Sequence, residues 1–332
     1  MDFDWTEVQR SWREKAKVLG RELAEDAAAG DVVMGAVRVG IIDPMADLLA
    51  AALAVEALAC ESAAAGMTLA LHTTTLKARL AQNSLVDSLA RGEAVGALVL
   101  SSEDVPSIEG GLLSGRASWV GPITERGIAL VGARHGAQII ACGVALDDRR
   151  VHVTEVKTSA LRGFVWAYLT FSGAPCVGAG ETMSIMARAR TLIAVVALGI
   201  CNRALRESLA VVRREHGAGG EQTVQGLLAD TATDLEAARM LTWKAATRGE
   251  DVSLAEASRA KLAATNAAQA AVVRATQVVG VDSFRRGHVI ERLTQDVRAI
   301  ELFAGRTETL REAVAEAELP QVSRQSAVGG QQ

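Results

Sequence analysis

Aromatic residues are scarce in this sequence: they make up 3% of 332 residues, with a single Tyr. Hydrophobic residues still make up 49%, so the core must be built mostly from Ala, Leu and Val. Ala-rich segments with dispersed charge favour helix, because Ala loses no side-chain entropy there. Cysteine is sparse as well. Cys60, Cys142, Cys176 and Cys201 are scattered with no CxxC pair, a pattern that argues against a zinc site or a disulfide framework and for buried thiols in a reducing compartment. A basic excess is missing: the formal net charge is -4 and the pI about 5.8, which argues against nucleic acid as a partner. The longest apolar runs are interrupted by Glu, Arg or Asn, so no membrane insertion is expected. The start, MDFDWTEVQR, is acidic and amphipathic rather than a basic stretch followed by an apolar run. Together these absences predict a soluble cytoplasmic protein. His72, His135, His152, His216 and His288 are dispersed and read as structural residues, not metal ligands.

The remaining pattern divides the chain into four segments, expected at 1–93, 94–178, 179–317 and 318–332. The first is helical. Asp4 or Thr6 can cap a helix carrying Trp5, Val8, Trp12 and Leu19, with Gly30 expected to end the run. A loose segment to Pro44 follows. One or two long apolar helices then run through DPMADLLAAALAVEALACESAAAGMTLALHTTTLKARLA, and a short one covers Val86 to Gly92. In the second segment IALVGA, AQIIACGVAL, RVHVTEV and FVWAYLTF read as strands, with Asp147-Asp148 as a hairpin turn. The third returns to long helices: one stopped by His216-Gly217, one ending near Gly249, and one opened by Ser253 and Glu256 at the spacing of a capping box. ERLTQDVRAIELFAG and TETLREAVAEA complete a four-helix bundle. The last segment is polar, Gly- and Gln-rich, and expected to be disordered. The fold class is α+β, mostly α.

Several stretches, in order, resemble the acyl-CoA dehydrogenase family. LLSGRASWVGPI resembles its "l-x-G-x-K-x-W-[IV]-[ST]" strand pair. ARTLIAVVALGICNRAL resembles "ERL-x-x-A-x-x-x-x-G-x-A", and EQTVQGLLADTATDLEAARML resembles "fQ-x-x-q-x-x-LADM-x-x-x-x-x-aR-x-l". QVVGVDSF, ERLTQDVR and FAGRTETLR are similar to "Q-x-x-GG-x-G-[YF]", "ER-x-x-RDaR" and "[YF]-EGT-x-E-x-x-R". The resemblance implies a helical N-terminal domain, a small central β-barrel or sheet domain and a C-terminal four-helix bundle. It also implies FAD at a subunit interface and an acyl-CoA substrate. In that chemistry a carboxylate removes the α-proton, the β-hydrogen leaves as hydride to the flavin, and donors hold the enolate oxygen.

The same alignment exposes what is missing. The family's base position in "Y-E-G-T" is Ala304, and the alternative base position at the Glu of "ERL" is Ala189; alanine accepts no proton. Glu181, Asp296, Glu301 and Glu308 are the carboxylates nearby. The resemblance assigns flavin contacts to Gln277, Gly280, Arg214, Trp119 and Glu308. Plainer readings stand beside these: a helix C-cap at Gln277–Gly280, a helix-end cation at Arg214 and a core side chain at Trp119. Around them the flavin motifs are eroded. The loop from Arg214 to Gln222 is short, the "TEp-x-aGSD" loop is cut to SSEDVPS, Val281 replaces the second Gly, and Gly121 replaces a Ser or Thr.

Three readings follow from the resemblance. The chain is a base-lacking subunit of a heteromeric acyl-CoA dehydrogenase, paired as α2β2 with a homologous full-length subunit and acting on a bulky, steroid-like acyl-CoA. Alternatively, it is a self-sufficient flavoenzyme with a relocated base, or a scaffold without flavin. Its bundle surfaces around Ile193–Leu209 and Ala263–Val278 are expected to pack against partner bundles.

Overall fold

The computed structural model describes residues 4–100, 104–214 and 221–319. The expected helix stop at His216-Gly217 and the polar tail fall outside them.

Helix α1 (Glu7–Glu22) opens on Thr6, whose side chain accepts from Gln9 N–H while Gln9 reaches back to the Thr6 backbone. Trp12, Ala16 and Leu19 face inward, but Val8 is 60% exposed; Gln9 takes the buried position and donates to Asp47 at 3.1 Å. Gly30 does not end a helix. It sits in the first turn of α2 (Ala29–Val39), which fills most of the segment expected to be loose and stops at Gly40 (φ 71). Burial of Val32, Val33 and Ala36 outweighs the cost of a glycine at a position whose N–H has no helical acceptor in any case. Helices α3 (Leu48–Glu61) and α4 (Ala63–Leu76) are apolar nearly all round and almost wholly buried, as such helices must be. The short α5 (Asn83–Ala90) leads into the sheet.

Eight strands form one sheet: β1 (Val95–Val99), β2 (Ser107–Glu109), β3 (Leu112–Val120), β4 (Gly127–His135), β5 (Gln138–Ala145), β6 (Val151–Val156), β7 (Trp166–Pro175) and β8 (Val177–Gly178). Their order is β6-β7-β3-β2-β4-β5-β8, with β1 parallel to β4. The Asp147-Asp148 turn is therefore not a hairpin. It joins β5, which pairs with β4 and β8, to β6, which pairs with β7. The turn chemistry is real, since Asp148 accepts from the Arg150 backbone and guanidinium, but a local turn signal does not say which strand the chain pairs with next. Residues 101–103, which open the shortened SSEDVPS stretch, are outside the described residues.

The C-terminal helices are α6 (Thr182–Arg214), α7 (Gln222–Thr247), α8 (Leu254–Val279), α9 (Val289–Leu302) and α10 (Thr307–Glu318). The Ser253–Glu256 capping box opens α8. Helix α6 is long and apolar enough to cross a membrane, but 94% of its apolar window is buried inside the protein, so it is a core helix. One apolar core runs continuously from α3 and α4 through α6 to α8. Small residues let these helices approach closely: a Cβ on Gly199 would lie 2.5 Å from Ala59 Cβ and 2.8 Å from its carbonyl carbon. Glu56 of α3 ties in α7 through Arg239 Nε (2.9 Å) and Trp243 Nε1 (3.2 Å). The Ile193–Cys201 stretch, expected to face a partner, is thus spent inside this chain, where Ile193–Leu198 are fully buried.

His72, fully buried on α4, accepts from Gly96 N–H at 3.1 Å and so fixes α4 against β1. Burial holds its pKa at about 4, below its ordinary value. The unfolded chain therefore takes up a proton that the folded chain refuses. His72's contribution is fully present above about pH 6.5 and is lost as pH falls toward 4, up to about 3 kcal/mol. Urea unfolding between pH 7 and 4 should show this slope, and His72→Gln should flatten it. The overpacked variant Gly199→Val should lose about 1–3 kcal/mol in the same assay.

Candidate functional site

The turn from α9 to α10 is held from beneath by two buried cations. Lys261 of α8 is fully buried, and its ammonium donates to the carbonyls of Glu301 (3.1 Å), Phe303 and Gly305 (2.7 Å). Arg190 of α6 donates from Nε to Ala304 O (2.8 Å) and from Nη1 to Ser258 Oγ (2.8 Å). The last carbonyls of a helix lack N–H donors within it, and cations at that end also meet the negative pole of its dipole. Burial, then the neighbouring Arg190, lowers the Lys261 pKa to about 7, while three carbonyls oppose loss of its proton. Ala304 has φ 57, in the left-handed region. Gly305 has φ 122, and a Cβ there would lie 2.8 Å from an Arg190 nitrogen. The turn that carries Ala304, the residue expected at the base position, is therefore firmly placed, and the side chain there is a methyl group.

An aromatic wall adjoins this turn. Phe303 packs on Trp166 with centroids 5.0 Å apart, and Trp119 meets Trp166 and Tyr168 edge-on at 6.2 and 5.7 Å. Trp119 sits at a shift in the β3–β7 register and takes φ 60. A left-handed backbone is rare for so bulky a residue, and the irregularity re-aims a side chain that would otherwise alternate with the strand. Trp119 is 47% exposed, which excludes the plain core reading. At Gly121 a Cβ would meet the Phe164 ring at 2.4 Å. Phe164 fills the space that the family's Ser or Thr would need.

The sequence-predicted residues fall into two groups. Trp119, Ala304 and Glu308 lie at one end of the bundle, with Ala189 fully buried beside Arg190 and exposed Glu308 in the first turn of α10. Arg214, Gln277 and Gly280 lie at the other. Helices α6 and α8 run parallel, since Arg190 meets Ser258 and Cys201 meets Ala267. Gln277 is sixteen residues beyond Lys261, and Arg214 is twenty-four beyond Arg190. At 1.5 Å per residue these are about 24 and 36 Å. Arg214 Nε bonds the Ala210 carbonyl of its own helix at 3.2 Å. Gln277 and Gly280 are exposed, and Gly280 (φ 73) has open space where a Cβ would be. The sequence reading missed Lys261, Phe164, Trp166, Tyr168 and Phe303. A lysine on the apolar stripe of α8, between Ala257 and Ala264, was the available signal for the first.

Among the alternative carboxylates, Glu301 and Asp296 accept hydrogen bonds and Glu181 is exposed. Glu301 accepts from Arg298 and from Thr307 Oγ1, both at 3.1 Å. Glu181 is exposed ahead of α6. Asp296 accepts from Leu161 N–H and is raised by burial to about 6. It lies eight residues before Ala304 on α9, about 12 Å along the axis, and faces a cavity of about 200 Å³ shared with Glu25, Cys60, Arg162, Arg203 and Arg292. That cavity is not lined by any residue of the aromatic wall.

Residues 177–319 match the family described as acyl-CoA dehydrogenase, C-terminal domain. Relatives include a 3-sulfinopropanoyl-CoA desulfinase of Paraburkholderia xenovorans (strain LB400), 36% identical over 127 residues, covering 37% of this chain and 33% of that protein. The mitochondrial short-chain specific acyl-CoA dehydrogenase of Bos taurus is 35% identical over 149 residues, covering 43% and 36%. The likeness to the acyl-CoA dehydrogenase family thus rests on residues 177–319, the C-terminal helices. The chain spans about a third of the length of these two curated relatives. Butyryl-CoA dehydrogenase from Megasphaera elsdenii shares the fold over nearly the whole of both chains, with a TM-score of 0.83 at 18% identity, covering 96% and 99%. Glutaryl-CoA dehydrogenase from Mycobacterium smegmatis does so with a TM-score of 0.83 at 16% identity, covering 95% and 95%.

Replacing Lys261 with Met leaves three carbonyls without their donor. We expect a loss of about 3 kcal/mol in denaturant unfolding, and faster amide hydrogen exchange concentrated in residues 301–310.

Proposed function

We propose that this chain is the base-lacking subunit of a heteromeric acyl-CoA dehydrogenase. It contributes to flavin binding and assembly while a homologous full-length subunit, paired with it as α2β2, supplies the proton acceptor. The observation that carries this reading is the pair of alanines at both base positions, one of them on a turn clamped by Arg190 and Lys261. A misfolded or dispensable site would have no reason to keep that clamp.

The residues present fit FAD in part. The exposed Trp119 ring offers a flat apolar face for a flavin, and the open backbone at Gly280 permits close approach of a phosphate group. Their separation along the bundle favours a dinucleotide that crosses a subunit interface, with this chain giving different parts of its surface to different sites. The Phe164 ring in place of a hydroxyl at position 121 reduces the polar contacts this chain can offer the ring. When bound, FAD supplies the hydride acceptor. Trp119 would orient the ring, and the methyl of Ala304 would border the acyl group without moving a proton. An assembly with half its sites given up leaves space for a bulky acyl group such as a steroid side chain, which is the substrate class we favour.

A second reading is favoured by the relatives named 3-sulfinopropanoyl-CoA desulfinase. In it the chain works alone on a small acidic acyl thioester, whose acidified α-proton needs only a weak base. Expression decides between the two. The heteromeric reading expects a colourless chain when purified alone, and FAD with dehydrogenase activity only after co-expression with its sister. A yellow, active homo-oligomer would instead establish the second reading, and a colourless chain under both conditions would leave a scaffold. Ala304→Glu alone should not restore dehydrogenation, because the flavin contacts are reduced too; robust turnover by that homo-oligomer would contradict this account.

A further inference from the structure

A third cation is buried with its Nε unmet among the described residues. Arg188 lies two residues before Arg190 on α6, a rotation of about 200°, and so points away from the α9–α10 turn. It is 8% exposed, and its Nε has no partner among the described residues. Its guanidinium lines a small cavity between the end of α4, the first turn of α6 and the turn Gly249–Asp251, together with Thr74, Lys77, Ser184 and Glu250. Glu250 is the single acid on that lining. It stands 3.9 Å from Arg188, beyond hydrogen-bond distance, and gives its other oxygen to Arg79 at 3.2 Å. Asp43 and Asp47, the other acids that Lys77 feels, are committed to backbone N–H groups of Met45 and Ala50.

The balance at the cavity is therefore positive. Burying a guanidinium without a hydrogen-bonded partner is costly. Burial, then the charge of Arg188, disfavours the Lys77 ammonium, and burial lowers Arg188 to about 10. The N–H groups of Thr182, Met183 and Ser184 open a helix of 33 residues with Glu181 exposed just ahead of it; first-turn N–H groups lack helical acceptors and add the positive end of the dipole. The cavity has about 20 Å³ for the centre of a water-sized particle, against the roughly 10–15 Å³ that one ordered water needs. The enclosed part therefore suits a single small particle.

We propose that this cavity is an anion site that binds one chloride-sized inorganic ion between Arg188, Lys77 and the first turn of α6. The bound ion joins α4, α6 and the α7–α8 turn, and so stabilises the folded chain in proportion to its concentration. It is independent of flavin and of the α9–α10 turn. Thermal unfolding of the full chain in sodium chloride, sodium bromide and sodium gluconate, at matched ionic strength, tests it. Chloride and bromide should raise Tm saturably by about 2 °C or more over gluconate. Arg188→Gln and Lys77→Gln should make the three curves coincide, and bromide-soaked crystals should show an anomalous peak beside Arg188. Coincident curves for the unmodified chain would overturn the proposal, as would an undiminished chloride response in Lys77→Gln, whose partly exposed position keeps that variant folded. A response to phosphate but not to chloride would overturn the assigned ion class.

Discussion

Two cations from two helices grip one short turn, and the rest of the site takes its position from that grip. Lys261 and Arg190 donate to four successive or near-successive carbonyls between Glu301 and Gly305. Neither has a carboxylate partner there; their charge is met by backbone dipoles. A hydrogen bond from a charged donor is worth more than one between neutral groups, and a buried ammonium without its acceptors would be unfavourable. The clamp and the turn therefore require each other. Ala304 can occupy the left-handed region because the surrounding bonds determine its backbone.

This separates two things that a catalytic motif usually combines, the placement of a residue and the chemistry of its side chain. In the proposed reading placement is intact: the clamped turn and the rings from Phe303 through buried Trp166 to exposed Trp119 are in continuous contact. In the same reading the chemistry is what is missing: position 304 carries a methyl group, and the described carboxylates nearby are engaged by Arg298 and Thr307, by Leu161 N–H, or lie exposed. A protein in which the fold persists while one functional group is gone is well suited to act as one half of a larger site.

Much of the helical architecture was legible because each signal is local. The Ser253–Glu256 box, the apolar α3 and α4, and the alanine at position 304 can all be read within a few residues. What was not legible depends on pairing across distance. The turn at Asp147-Asp148 looks like a hairpin, yet its two strands lie in different parts of the sheet. Gly30 looks like a helix stop, but burial of its neighbours decides otherwise. The clamp joins residues 40 to 114 positions apart in sequence. The apolar run at Ile193 suggested a partner surface, although it is covered by α3 and α8 of the same chain.

The central claim is that this chain holds an acyl thioester's neighbourhood but no group able to take its α-proton. Proton exchange reads that directly. The purified chain, in buffer supplied with excess FAD, would be incubated in deuterium oxide with an acyl-CoA analogue that cannot surrender a β-hydride, and deuterium at the α-carbon followed by NMR. The account predicts incorporation no faster than in buffer alone, and rapid incorporation once the full-length sister subunit is present. Enzyme-dependent incorporation by this chain alone would contradict it.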